Sequence, residues 1–235
     1  MKRYVHLTPR LEVVPDMVGR VNSVADIGCD HGRLSAALLQ RGCAEHIHAC
    51  DISAESLQKA RDLLEYIGQK DHVSFYCGDG LSALPVGAFD GVLLLGMGGT
   101  LMTRILDAVE QPLHGARFGI FQPMRAQSDI REYLYQHCYH ITDDRIVAEQ
   151  GRLYQVFRAE PRDCRQRIPE DFPFDFLDVG FIAYAEREEN FFRLCRQQYA
   201  QHLLRLPQAK GTAGEEKLLR KIRALKQLLE KEDAR

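Results

Sequence analysis

Residues 24–32 read Val-Ala-Asp-Ile-Gly-Cys-Asp-His-Gly. A run of strand character ends at Ile27, a glycine turn follows, and a helical pattern opens at Arg33. Gly28 permits the tight turn and lets a nucleotide-like ligand approach the backbone. In a dinucleotide loop of the form G-x-G-x-x-G, small residues leave the helix N-terminus free to face a pyrophosphate. Here the second glycine is replaced by Asp30, whose carboxylate repels a pyrophosphate and suits a cation. S-adenosylmethionine has no phosphate and carries an ammonium and a sulfonium, so it fits this loop better than NAD does. A structural turn with Asp30 as helix N-cap explains the same letters.

On either side of this loop, short apolar runs alternate with helical patterns between residues 20 and 125, the signature of βαβ units and a parallel sheet. Strands are expected at Ser23–Ile27, Ile47–Asp51, Val73–Cys77, Asp90–Leu95 and Arg117–Gln122, with helices at Arg33–Arg41, Ala54–Ile67 and about Ser128–His137. Two strand-like runs, His140–Glu149 and Arg152–Ala159, joined by Gln150-Gly151, read as a β-hairpin. The fold class is therefore α/β: a Rossmann-like parallel sheet closed by an antiparallel hairpin. Three more candidate loops follow strands. Asp51 lies 23 residues past Gly28, the spacing of an acid that holds a ribose diol; a helix cap before Ala54 is the rival reading, and the spacing favours the ribose. In Cys77-Gly-Asp-Gly80, Asp79 can accept from an exocyclic adenine amine, and Gly80 exposes a backbone N–H. Gly96-Met-Gly-Gly99 removes side chains where a ligand must approach the sheet edge. All four loops fall at the carboxyl ends of strands, the ligand-binding edge of open α/β sheets.

The chain has 235 residues, 45% of them hydrophobic and 27% charged, enough apolar material for a real core. Apolar runs such as Val92–Leu95 are far shorter than the ~18 residues of a membrane span. The charged start is unlike a secretory signal, so the expectation is a cytoplasmic protein without membrane contact. The 7 cysteines form no C-x-x-C motif and fit a reducing compartment. Residues 1–160 carry 16 Lys and Arg against 20 Asp and Glu, a net of −4, whereas residues 184–235 carry 12 against 8, a net of +4. The basic end hints at a polyanionic partner. The expected organisation is a catalytic domain over 1–160, a polar, proline-bearing linker over 161–183, and an antiparallel coiled-coil hairpin over 184–235. Its helices span about Tyr184–Leu206 and Glu215–Lys231, with a seam of Leu218, Ile222, Leu225 and Leu229.

The segments D-I-G-C-D-H (26–31), G-D-G-L (78–81), G-M-G-G-T-L (96–101), F-Q-P (121–123), I-R-E-Y-L (130–134) and E-Q-G-R-L-Y-Q-V (149–156), with Leu7-Thr-Pro-Arg-Leu11, resemble the bacterial tRNA (adenine-22)-N(1)-methyltransferases, the TrmK family. The resemblance covers about residues 7–160, and the helical tail matches in kind. It implies a class I S-adenosylmethionine-dependent enzyme that methylates ring nitrogen 1 of an adenine in tRNA. It also implies that Asp26, Gly28, Asp30 and His31 line the methionine end of the cofactor. Asp51 would hold the ribose and Asp79 with Gly80 the adenine, with Ile52 also among the cofactor-binding residues. Gly96 and Met97 would lie between cofactor and base. Arg10, Gly98, Gln122, Pro123 and Arg125 are candidates for the tRNA side, and Asp30 and His31 for catalysis. Met124 stands where the family usually carries Asn.

Competing readings are kept beside these. His46, His48 and Cys50 share one face of a strand but lack a fourth ligand, so no metal is expected. The basic tail either clamps tRNA or pairs its apolar seam with a second subunit, a monomer being the expected state. Alternative functions are methylation of a small molecule or protein, or a silent Rossmann-like module that binds RNA or docks partners.

Overall fold

A computed structural model describes residues 4–173 and 177–233. Two short N-terminal helices, α1 (Pro9–Glu12) and α2 (Val14–Val18), precede the alternating region. There follow β1 (Val21–Ile27), α3 (Arg33–Gln40), β2 (Ala44–Asp51), α4 (Ala54–Tyr66), β3 (Val73–Cys77), β4 (Gly91–Met97), α5 (Gly99–Asp107), β5 (Phe118–Pro123) and α6 (Gln127–Gln136). The hairpin strands β6 (Tyr139–Glu149) and β7 (Arg152–Pro161) come next, then α7 (Phe181–Ala185), α8 (Phe191–Ala209) and α9 (Glu215–Asp233). Every expected strand is present. The hairpin turn places Gln150 and Gly151 at φ of 48° and 78°, as a two-residue turn with both central residues left-handed requires.

The seven strands lie in the order β3-β2-β1-β4-β5-β7-β6. Strands β1 to β5 are mutually parallel, and β7 pairs antiparallel to both β5 and β6. The order reverses between β1 and β4, and a ligand crevice opens at such a switch point. Two apolar layers cover the sheet. One packs α2, α3 and α4 onto it around Leu38, Ile47 and Leu64; the other packs α5 and α6 around Leu94, Met102 and Phe121.

The C-terminal third differs from the expected linker and free hairpin. Phe172, Leu177, Val179 and Phe181 are buried in the same apolar layer as α5 and α6, as are Phe191, Leu194 and Cys195 of α8 and Leu225 and Leu228 of α9. Residues 172–183 are thus part of the packed body where they are described, whereas 161–171 hold no buried residue; residues 174–176, and 234–235 of the expected hairpin, lie outside the described residues. The anchor is a fully buried ion pair. Arg131 of α6 donates to both oxygens of Asp144 of β6 at 2.9 and 2.8 Å, and to Gln155 Oε1 at 3.0 Å. A Cβ at Gly180 would sit 1.7 Å from Asp144 Oδ2, so only glycine lets the chain cross above this pair.

The single helix expected from Tyr184 is two helices. Arg187 adopts a φ of 56° and ends α7, while Asn190 donates from Nδ2 to the Ile146 carbonyl at 3.0 Å just before α8 starts. The α9 seam is also displaced. Leu225 and Leu228 are fully buried with Ile222 close behind, whereas Leu218 and Leu229 are only partly covered. A helix packed against both α8 and the body buries a wider stripe than a two-helix seam. Among the described residues no helix is long and apolar enough to cross a membrane.

Candidate active site

The loop after β1 is built on β2. The N–H groups of Gly28 and Cys29 both donate to the Cys50 carbonyl, at 2.8 and 3.1 Å, folding the loop back over the neighbouring strand. Gly28 and Gly32 have φ of 72° and 68°, and a Cβ at Gly32 would meet Ala60 Cβ of α4 at 2.8 Å. The helix cap is Gly32, not Asp30, and no side chain caps it. Asp30 itself has a φ of 50°, and its carboxylate is 71% exposed, 3.5 Å from His31 Nε2. The capping alternative for Asp30 is thereby removed.

Asp51 joins two loops. Its Oδ2 accepts from the Asp30 N–H at 3.1 Å and its Oδ1 from the Ser53 N–H at 2.9 Å. The cap of α4 is Ser53, whose Oγ accepts from the Ser56 N–H at 3.1 Å, so the rival reading of Asp51 as a helix cap does not hold. Ile52 projects beside it with 74% of its surface exposed. The carboxylate-bearing Asp79 is exposed at the end of β3, and Gly80 is pressed against Ile105.

A cavity of about 440 Å³ opens between the β1 loop, the ends of β4 and β5, and the N-terminal segment. Arg10, Asp26, Gly28, Asp30, His31, Gly96 and Gln122 line it together with Leu7, Thr8 and Leu95. Three of these bring buried polar groups, two of them with an atom that has no partner among the described residues. Asp26 is 4% exposed with a single side-chain donor, Ser35 Oγ at 2.6 Å. Burial pushes its carboxyl up to about 6, against the lowering effect of Ser35. Gln122 is fully buried; its Nε2 reaches Met124 Sδ at 3.4 Å, and its Oε1 has no partner. Arg10 Nε is also buried without a partner. A buried acceptor left open costs free energy until a ligand fills it. The arrangement suits a ligand with a cationic donor next to an anionic acceptor, as in a free amino-acid end.

Arg10 is held in place by a residue the sequence reading did not single out. Glu149 accepts from the Arg10 N–H at 2.9 Å and lies 3.5 Å from its guanidinium, which also sits 5.1 Å above the Tyr154 ring. Both partners fall in the 149–156 segment quoted above, so the signal was present but pointed to no role. Met97, Gly98, Pro123 and Arg125 form the neighbouring lip, where Met97 O accepts from the Met124 N–H at 2.9 Å and the Arg125 carbonyl accepts from the Gly99 N–H at 2.9 Å. His46 and His48 point their ring nitrogens at Ser74 Oγ and Tyr76 Oη. Among the described residues no three His, Cys, Asp or Glu side chains are placed to hold a metal ion.

Residues 7–157 match the family model described as a methyltransferase domain. The tRNA (adenine(22)-N(1))-methyltransferase of Bacillus subtilis is 34% identical over 157 residues, which are 67% of this chain and 66% of that protein. The chain thus aligns in sequence with about two thirds of that relative. The crystal structure of the B. subtilis M1A22 tRNA methyltransferase TrmK superposes with a TM-score of 0.83 at 27% identity, covering 96% of this chain and 99% of that one. A Streptococcus pneumoniae protein solved with S-adenosyl-L-methionine has the same fold, with a TM-score of 0.81 at 24% identity over 95% of this chain and 100% of that one.

Proposed function

Because the chain belongs to the bacterial tRNA (adenine-22)-N(1)-methyltransferase family, we propose that it transfers a methyl group from S-adenosylmethionine to ring nitrogen 1 of adenine 22 in tRNA. The observation that carries this reading is the cavity beside the β1 loop. It offers a buried carboxylate, bonded by Ser35, and an open amide oxygen together with an arginine. Asp26 and Gln122 Oε1 receive the ammonium of the cofactor, and Arg10 faces its carboxylate. Asp51 accepts from the ribose diol, with Ile52 and Asp79 against the adenine. Gln122 and Arg10 thus serve the cofactor rather than the tRNA side, where Gly98, Pro123 and Arg125 remain.

When bound, the cofactor supplies an electrophilic sulfonium methyl. The protein's part is mainly positioning, because the neutral base already presents a lone pair. Ring nitrogen 1 is engaged by pairing in a duplex, so the base must leave its stack to enter the site. The exposed Asp30 carboxylate stands at the cavity mouth, where it offsets positive charge developing on the methylated base. Asp30→Asn is expected to lower the single-turnover rate at saturating tRNA at least tenfold while changing cofactor affinity no more than threefold. Equal losses in both make Asp30 a cofactor anchor, and unchanged rates remove it from the mechanism.

The macromolecular partner in this reading is tRNA, the location is cytoplasmic, and the chain acts as a monomer. The monomer is supported by the tail, whose apolar seam is consumed within the chain by Ile222, Leu225 and Leu228. The deciding experiment incubates the protein with labelled S-adenosylmethionine and unmodified tRNA, followed by nucleoside analysis. One methyl per tRNA, recovered as 1-methyladenosine and lost when adenine 22 is replaced by guanine, is the expected result. Label in any other nucleoside, or none in tRNA, overturns the reading.

A further inference from the structure

A second and larger concavity, about 920 Å³, lies between the helical tail and the carboxyl end of β5. Besides Lys221, four cations reach it from four separate elements: Arg125 from the loop after β5, Arg152 from the start of β7, Arg205 from α8 and Lys217 from α9. None of the four makes an ion pair among the described residues, and they outnumber the two acids on the wall, Asp129 and Asp178. Asp178 pairs with Lys221 at 2.5 Å, and Asp129 Oδ2 accepts from Thr100 Oγ1 at 2.6 Å. Elsewhere on the tail Arg196 pairs with Glu232, Arg220 with Glu216 and Lys226 with Glu230, whereas Arg193, Lys210 and Arg223 make no ion pair among the described residues. This concave wall thus gathers unpaired cations from four elements against two acids, and a concave, low-dielectric surface focuses their field. The same wall carries buried polar atoms with no hydrogen-bond partner, both ring nitrogens of His202 and Oε1 of Gln198.

We propose that this groove, rather than the outer faces of the tail, is the track of the RNA backbone leading away from the target nucleotide. The inference rests on the tRNA reading above and specifies how that partner is held. The groove starts at Pro123–Arg125, the lip of the methyl-transfer cavity, so the strand bearing an extruded base leaves the site directly into it. Cations carried by four separate elements match a phosphate backbone better than a single small anion. His202 and Gln198 provide acceptor and donor edges for ribose hydroxyls, the groups that distinguish RNA from DNA.

The test compares two full-length triple variants that lose the same charge. One replaces the groove cations (Arg152→Gln, Arg205→Gln, Lys217→Gln); the other replaces paired cations of the tail (Arg196→Gln, Arg220→Gln, Lys226→Gln). Affinity for unmodified tRNA is measured over a salt series, and S-adenosylhomocysteine binding by calorimetry reports that each protein is folded. The groove variant is expected to bind tRNA at least tenfold more weakly at low salt, with a log–log salt slope shallower by about 2–3. The control is expected to stay within twofold of the parent, with its slope unchanged. Equal losses in both variants, or none in the groove variant, overturn the groove while leaving the tRNA reading standing. A parent that binds S-adenosylhomocysteine but no tRNA overturns both.

Discussion

Asp26 carries an electrostatic cost that its place in the sequence alone does not disclose. It sits on β1 with only Ser35 donating to it, and burial pushes its carboxyl up to about 6. An ordinary aspartate titrates near 3.9, so the folded state favours the protonated form. The stabilising contribution of that proton is fully present below the ordinary value and is lost as pH rises through about 6. Above that, the buried charge costs about 3 kcal/mol by linkage. Asp26→Asn is accordingly expected to melt above the parent at pH 7.5, with the gap closing as pH falls towards 4; thermal unfolding across that range checks it. A gap independent of pH would show that Asp26 is ionised at no such cost. The same variant loses the acceptor for a cofactor ammonium, a trade of stability against function found at many sites. Asp30 and Asp51 illustrate a different limit. Their positions in the chain marked them as site residues, but their letters also fitted helix caps, and only the hydrogen-bond partners separated the two readings.

Among the elements, strands and the hairpin were readable because their signals are local: alternating or continuous apolar runs, glycine loops and a Gln-Gly turn. Contacts between α6 and β6 were not. Arg131 lies in a segment quoted for family resemblance, yet nothing near it in sequence reveals that Asp144 and Gln155 enclose its guanidinium. A buried pair of this kind contributes little net stability when intact, but breaking it leaves an uncompensated charge. Arg131→Met is expected to cost about 3–5 kcal/mol, read from urea unfolding. The double variant Arg131→Met, Asp144→Leu should recover much of the loss. A single variant within 1 kcal/mol of the parent would mean that the pair is solvated.

At the scale of the whole molecule, the tail and the sheet share one apolar core. Leu225 and Leu228 of α9 belong to the layer that also contains Leu94 and Phe121, so a cut at the expected boundary before residue 184 would strip cover from the body rather than release an independent hairpin. Leu225→Ala is expected to destabilise the entire chain by about 2–5 kcal/mol, with the near-ultraviolet and far-ultraviolet signals still melting together. Separate transitions, with only the helical one shifted, would establish the tail as a domain of its own. The shared core also explains how the groove keeps its shape: α8 and α9 are fixed to the body through their apolar face, which leaves Arg205 and Lys217 turned towards the end of β5.

The sequence by itself determined the parallel order of elements, the carboxyl-end loops and the chemistry of the ligand they accept. Those features depend on residues within a few positions of one another, where backbone conformation and local hydrophobic period decide the outcome. Tertiary structure alone decided that residues 172–183 pack into the body where they are described, that Glu149 holds Arg10, that Asp26 and Gln122 share one cavity, and that Arg152, Arg205 and Lys217 meet Arg125. Each of those depends on contacts between residues far apart in the chain, and pairings at that distance are set by which apolar faces find each other, information that no short window of sequence contains.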